Sequence, residues 1–154
     1  MIVYDLNQVI KDGGDWATLN GGTVPEILPL YGYDDTEPPF IVYSWVHANV
    51  SAEKYYQRRS IARFYVYDNN IDRMNSIAEE ITNLLNVGDD LANIRTLVPT
   101  GTSYRILYCY LMSGNPGPPL EREGFSFTSV DFDVGYISTL ATLTRSISVD
   151  AVLL

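Results

Sequence analysis

The stretch from Tyr55 to Leu85 constrains the fold more than any other part of the chain. Between about Tyr55 and Tyr67, Ala62, Phe64 and Val66 fall on one side, and Arg59, Arg63, Tyr65 and Tyr67 on the other. That period of two, in aromatic and β-branched residues, predicts a strand. Asp68-Asn69-Asn70 then offers an N-cap, and the period changes at once. Ile71, Met74, Ile77, Ala78, Ile81, Leu84 and Leu85 recur at three- and four-residue steps, with Gly88 as a C-terminal stop. Asp72, Arg73, Glu79, Glu80 and Asn83 make the opposite, solvated face of this helix. A strand leading directly into an amphipathic helix predicts a helix packed on a sheet.

The other elements fit around this unit. Ile2, Leu6, Val9 and Ile10 have helical spacing and Gly13-Gly14 follows, which predicts a helix over residues 1–12. Residues 20–39 hold Pro25, Pro29, Pro38 and Pro39 with Gly21, Gly22 and Gly32, and read as a long loop or arm. Further strands are expected at Phe40–Val46, at about Tyr104–Met112 and at about Gly124–Ile137, with a loop from Ser113 to Pro119. In the last strand Phe125 and Phe127 are odd-numbered, whereas Val130, Phe132, Val134 and Tyr136 are even-numbered, so a β-bulge is expected near Ser129. Residues 144–154 form a weakly alternating tail that ends in Ala151-Val152-Leu153-Leu154. The expectation is one α+β domain over residues 1–154. Its sheet is four-stranded and mainly antiparallel, a central helix packs on one face, an N-terminal helix precedes it, and an extended C-terminal tail follows.

Composition narrows the class of function. The 154 residues are 46% hydrophobic and 19% charged, too apolar for a disordered chain and enough to bury a core. Nineteen acidic against 10 basic side chains give a formal net charge of −9, the wrong sign for a protein held by nucleic-acid phosphates. The N-terminus lacks the pattern of a signal peptide, and no apolar run is long enough to span a membrane, so the chain is expected to be made in the cytoplasm. Asn49-Val50-Ser51 matches a glycosylation sequon, which carries no weight without a secretion signal. Cys109 is the one cysteine, which rules out an intrachain disulfide, and its apolar neighbours predict a buried, inert thiol.

No catalytic, cofactor or metal site stands out. His47 follows a strand with Ser44, Ser51 and Lys54 nearby in sequence, but no nucleophile motif surrounds it. One histidine and one cysteine cannot close a zinc site. Asp131 and Asp133 point the same way and, with Glu121, Glu123 or Asp89-Asp90, make a candidate hard-cation site. The simpler reading is an outward acidic face on an edge strand. Gly21-Gly22-Thr23 and Gly114-Asn115-Pro116-Gly117 lack the spacing of a phosphate loop. The basic, aromatic run Arg58 to Tyr67 has the composition of an RNA-stacking strand without its glycines. It fits equally as half of a self-complementary subunit contact.

Alternation assigns residues to the two faces of the sheet. Val42 and Val46 oppose Tyr43 and Trp45, while Leu107, Cys109 and Leu111 oppose Tyr104, Ile106, Tyr108 and Tyr110. One face is therefore expected to be aliphatic, for the central helix, and the other rich in tyrosine. The N-terminal helix and the tail can cover the tyrosine face, or another subunit can. In the second case the candidate interface is Tyr43, Trp45, Arg58, Arg59, Arg63, Tyr65, Tyr67 and Tyr108, with Leu153 and Leu154 from the tail. A function of another class, a small ligand-binding or enzymatic domain, would use Tyr43, Trp45, Tyr65 and Tyr108 to line a pocket.

The order of elements carries a resemblance. Pro39-Phe40-Ile41-Val42-Tyr43-Ser44-Trp45 is followed by the basic strand Arg58 to Tyr67, which turns through Asp68-Asn69-Asn70 into the helix Ile71 to Ile81. Phe127-Thr128-Ser129-Val130-Asp131-Phe132-Asp133-Val134-Gly135-Tyr136 closes the sheet. Over residues 38 to 138 this resembles the tail terminator, or tail completion, proteins of long-tailed bacteriophages. The resemblance implies a structural virion protein rather than an enzyme, without cofactor. It implies a homohexameric ring on the last ring of the tail tube, which joins it to a head-side neck protein. DNA would pass through an acidic bore without specific binding. The proline-rich segment 20–39 and the apolar tail have no counterpart in the family pattern, which leaves another head–tail neck adaptor as an alternative.

Overall fold

The computed structural model describes residues 2–30, 36–47, 57–97, 104–112, 120–122 and 125–138. In chain order the elements are α1 (Ile2–Gly13), α2 (Trp16–Leu19), β1 (Glu26–Pro29), β2 (Phe40–His47), β3 (Gln57–Asp68), α3 (Ile71–Leu85), α4 (Leu91–Ile94), β4 (Tyr104–Leu111), β5 (Leu120–Arg122) and β6 (Phe125–Ser138). The fold is α+β. The strand order is β1-β2-β3-β6-β4, with β5 paired to β6. β1 runs parallel to β2 and the other pairs are antiparallel, so the sheet is mixed.

The four expected strands are present as β2, β3, β4 and β6, and two short ones are added. β1 lies inside the segment read as a loop. Pro25 and Pro29 suggested a break there, but an edge strand needs only one side of its backbone ladder, and Pro29 ends it. β5 has three residues, too few for any period to register. Among the described residues, no helix is long and apolar enough to cross a membrane.

Both long helices lie on one face of the sheet. Ile2, Leu6 and Ile10 of α1 and Met74, Ile77, Ala78, Ile81 and Leu85 of α3 are buried with Ile41, Ala62, Phe64, Val66, Val130, Phe132 and Val134. Each of these side chains larger than alanine contributes about 1.5–3 kcal/mol relative to exposure, so this layer dominates the stability. α1 was expected as one possible cover for the tyrosine face, and instead it packs beside α3 on the aliphatic one. Trp16 of α2 closes the corner: its indole N–H donates to the carbonyls of Ile10 and Lys11 at 3.2 and 3.1 Å.

The β3–α3 junction forms as its sequence dictates. Asn70 is the N-cap, its Oδ1 accepting from the Arg73 N–H at 3.1 Å. Buried Asp68 accepts from Arg73 Nη2 at 2.6 Å and Nε at 2.5 Å, and from the Asn70 N–H at 3.2 Å. Gly88 does not stop the helix, which ends at Leu85 with the Asn86 N–H on the Thr82 carbonyl. With φ of 66°, Gly88 instead exchanges two 2.9 Å backbone hydrogen bonds with Cys109.

The phases of the strands differ from expectation in two places. β3 and β6 pair without interruption from Ser126 to Ile137, so no bulge lies near Ser129. The odd and even apolar residues of β6 simply serve opposite faces, because this end of the sheet is apolar on both sides. Phe125 and Phe127 join Phe40, Val42 and Tyr67, with Leu28, Leu30 and Tyr65, in a second cluster behind the main core. The bulge is in β4, between Ile106 and Tyr108. It sets Tyr104 and Ile106 on the helix face and Tyr108 and Tyr110 on the other.

Candidate interaction face of the sheet

Register decides which side chains share the face turned away from the helices. Val42 lies opposite Tyr65, Ser44 opposite Arg63 and Val46 opposite Ile61. Arg63 lies opposite Asp131, Ile61 opposite Asp133 and Arg59 opposite Gly135. Tyr110 and Tyr108 then face Asp133 and Gly135 from β4. Opposed residues project to the same side, so these form one continuous outer face.

This overturns the expected division into an aliphatic and a tyrosine face. Tyr43 and Trp45 pair with Phe64 and Ala62 and pack against the main core. The Tyr43 ring meets Tyr4 of α1 at 6.4 Å, and burial followed by that neighbour raises the Tyr43 pKa above its ordinary value. Trp45 meets Tyr136 at 5.9 Å. Val42 and Val46 take the outer face in their place. Alternation within β2 was right, but its phase relative to β3 is set by pairing, which a single strand does not reveal.

The candidate interface residues therefore separate. Arg59, Arg63, Tyr65, Tyr67 and Tyr108 are on the outer face, whereas Tyr43, Trp45 and Arg58 are on the helix side. Tyr67 is only 2% exposed, stacked between Phe40 and Phe127 in the second cluster. Leu153 and Leu154 lie outside the described residues. The pocket expected from Tyr43, Trp45, Tyr65 and Tyr108 is divided, two residues to each face.

Two ion pairs run across the centre of the outer face. Arg63 grips Asp131 through Nε–Oδ1 and Nη2–Oδ2, both 2.8 Å, and its Nη1 donates to the Tyr65 hydroxyl at 3.4 Å. Arg59 Nε meets Asp133 Oδ1 diagonally at 2.8 Å. The hydrogen bonds and the carboxylate charges hold both guanidiniums above the usual arginine range. With the Arg63 side chain 43% exposed, its pair is worth about 0.5 kcal/mol, so it sets charge more than stability. Asp131 and Asp133 are thus not on an edge strand: β6 lies between β3 and β4, and arginines occupy both carboxylates. Among the described residues no group of three or more acidic, histidine or cysteine side chains is placed to hold a metal.

Around these pairs the face is apolar and accessible. Val46 is 53% exposed and Tyr110 44%, with Ile61, Tyr65 and Tyr108 half-buried beside them. Val46, Ile61 and Tyr110 were not among the expected interface residues. Pairing the odd positions of β3 with the odd positions of β6 would have found Ile61 and both ion pairs, whereas Val46 and Tyr110 need the registers of β2 and β4 as well. Burial, then the Asp133 charge, raises the Tyr108 pKa. Among the described residues no helix lies on this face.

The remaining polar groups read as structural. Buried Ser60 has its Oγ 3.2 Å from His47 Nδ1 and 3.3 Å from Tyr136 Oη. A hydroxyl shut from solvent with its polar contacts taken offers no line of attack, so His47 and Ser60 do not form a nucleophile pair. Cys109 is buried, as expected, and burial with a smaller push from Asp133 raises its pKa to about 12.

No family model matches this chain, and a search of curated proteins finds no match.

Proposed function

We propose that this chain is a structural subunit of a bacteriophage tail terminator, forming a closed ring at the top of the tail tube. The observation that carries the proposal is the one-sided sheet. All described helices serve one face, and the other presents exposed Val46 and Tyr110 around internally neutralised Arg–Asp pairs. Such a face suits burial against a neighbouring subunit, because apolar area is gained while the charges at its centre stay paired.

Two further features support it. The strand–helix unit β3–α3 and the closing strand β6 have the order that carries the resemblance. The net charge of −9 suits a lumen along which DNA slides without sticking. The ring would touch the tail tube protein on one side and a head-side neck protein on the other.

The test is addition of purified protein to tail tubes assembled without a terminator, viewed by negative-stain electron microscopy. A discrete ring at one end of each tube, with growth stopped, is expected. Tubes that keep growing with bare ends would overturn the proposal, and a ring that binds only the head-side connector would identify a neck adaptor instead.

A further inference from the structure

Charge is unevenly divided between the two sides of the molecule. Among the described residues, the outer sheet face carries Arg59, Arg63 and Arg105 against Asp131 and Asp133, with Glu26 at its far margin. Arg105 is exposed and has no carboxylate partner among the described residues. The helix layer is acidic: Asp12, Asp15, Asp72, Glu79, Asp89 and Asp90 are exposed there. Lys11, Arg58 and Arg95 offset part of that charge, and Arg73 is already engaged by Asp68.

Three ways of bringing two copies together follow, and they are not equivalent. Helix layer against helix layer sets like charges opposite each other. Outer face against outer face brings together two nearly neutral surfaces and leaves the Arg105 cations facing their own kind. Outer face against helix layer places the Arg105 cation and exposed apolar side chains on an acidic surface, the one complementary arrangement. We propose that the partner of the outer sheet face is the helix layer of a second copy of this chain, in a front-to-back contact. A front-to-back contact is heterologous, so it repeats until it closes as a ring. The inference rests on the ring proposal and adds which two surfaces meet.

Thiol cross-linking tests it, because the native Cys109 is buried and its thiol is held protonated, giving no background. Val46→Cys places a thiol on the outer face, and Ser76→Cys places one on the exposed side of α3 without changing charge. Each single variant and the double variant are treated with a bifunctional maleimide, after circular dichroism and native mass confirm a fold and size equal to the parent's. The double variant is expected to give a ladder of covalent oligomers ending at the closed species, and each single variant none. Cross-linking of Val46→Cys alone shows face-to-face association, that of Ser76→Cys alone shows helix-to-helix association, and either overturns the contact. A ring-sized species with no ladder also overturns it while leaving the ring proposal standing. A monomer by native mass in every sample, with tail tubes added as well as without them, removes the ring proposal, and this contact with it.

Discussion

The ring of Tyr108 lies directly over the backbone of Gly135, its partner on the neighbouring strand. A Cβ at position 135 would stand 2.7 Å from Tyr108 Cδ1 and closer still to the far side of the ring. The glycine therefore makes room for the tyrosine, which covers backbone that would otherwise be exposed. Gly135→Ala is expected to push Tyr108 off this seat and to destabilise the protein by about 1–2 kcal/mol. Urea unfolding of Gly135→Ala, Tyr108→Ala and the double variant measures it. The double variant should lose less than the two single losses combined.

Asp68 is fully buried and depends on Arg73 for its cation. Arg73→Met strands that carboxylate at the start of α3, at a cost of about 3 kcal/mol. Asp68→Asn in the Arg73→Met background removes the stranded charge and is expected to recover part of the loss. Equal stability of Arg73→Met and the parent, by thermal unfolding, would show that the pair contributes nothing.

The buried thiol gives a pH dependence with a definite sign. Cys109 is raised from 9.0 to about 12 in the folded chain, by burial first and the Asp133 charge second. Above pH 9.0 the unfolded chain loses this proton while the folded chain keeps it. The stabilising contribution is thus complete below pH 9.0 and declines as pH rises toward about 12. Tyr43 and Tyr108, raised from 10.0, add to the decline only at higher pH. Between these values Cys109→Ala should flatten the slope of unfolding free energy against pH by about 1 kcal/mol per pH unit. Parallel curves for parent and variant would contradict it.

How much of this was legible in the sequence depended on how local each signal was. The helix α3, its Asn70 cap and the four longer strands follow from spacing along single segments, and all are present. β1 escaped because its prolines resemble loop punctuation, and β5 because three residues carry no period. Placement of α1 beside α3, not on the opposite face, is a tertiary choice that an amphipathic helix alone leaves open.

The candidate face was only half legible, for a related reason. Which side of β2 belongs with which side of β3 is decided by register, and the bulge at Leu107 reverses the phase within β4. Tyr43 and Trp45 were therefore grouped with tyrosines that point the other way. The same gap hid the match of Arg63 with Asp131, whose positions are 68 residues apart.

The most direct test of the central claim is the native mass of the full chain by light scattering behind a sizing column, across concentrations, with and without tail tubes. A sixfold species, or a monomer that becomes a ring only when tubes are present, is the expected result. A strict monomer at every concentration that also ignores tubes would contradict it.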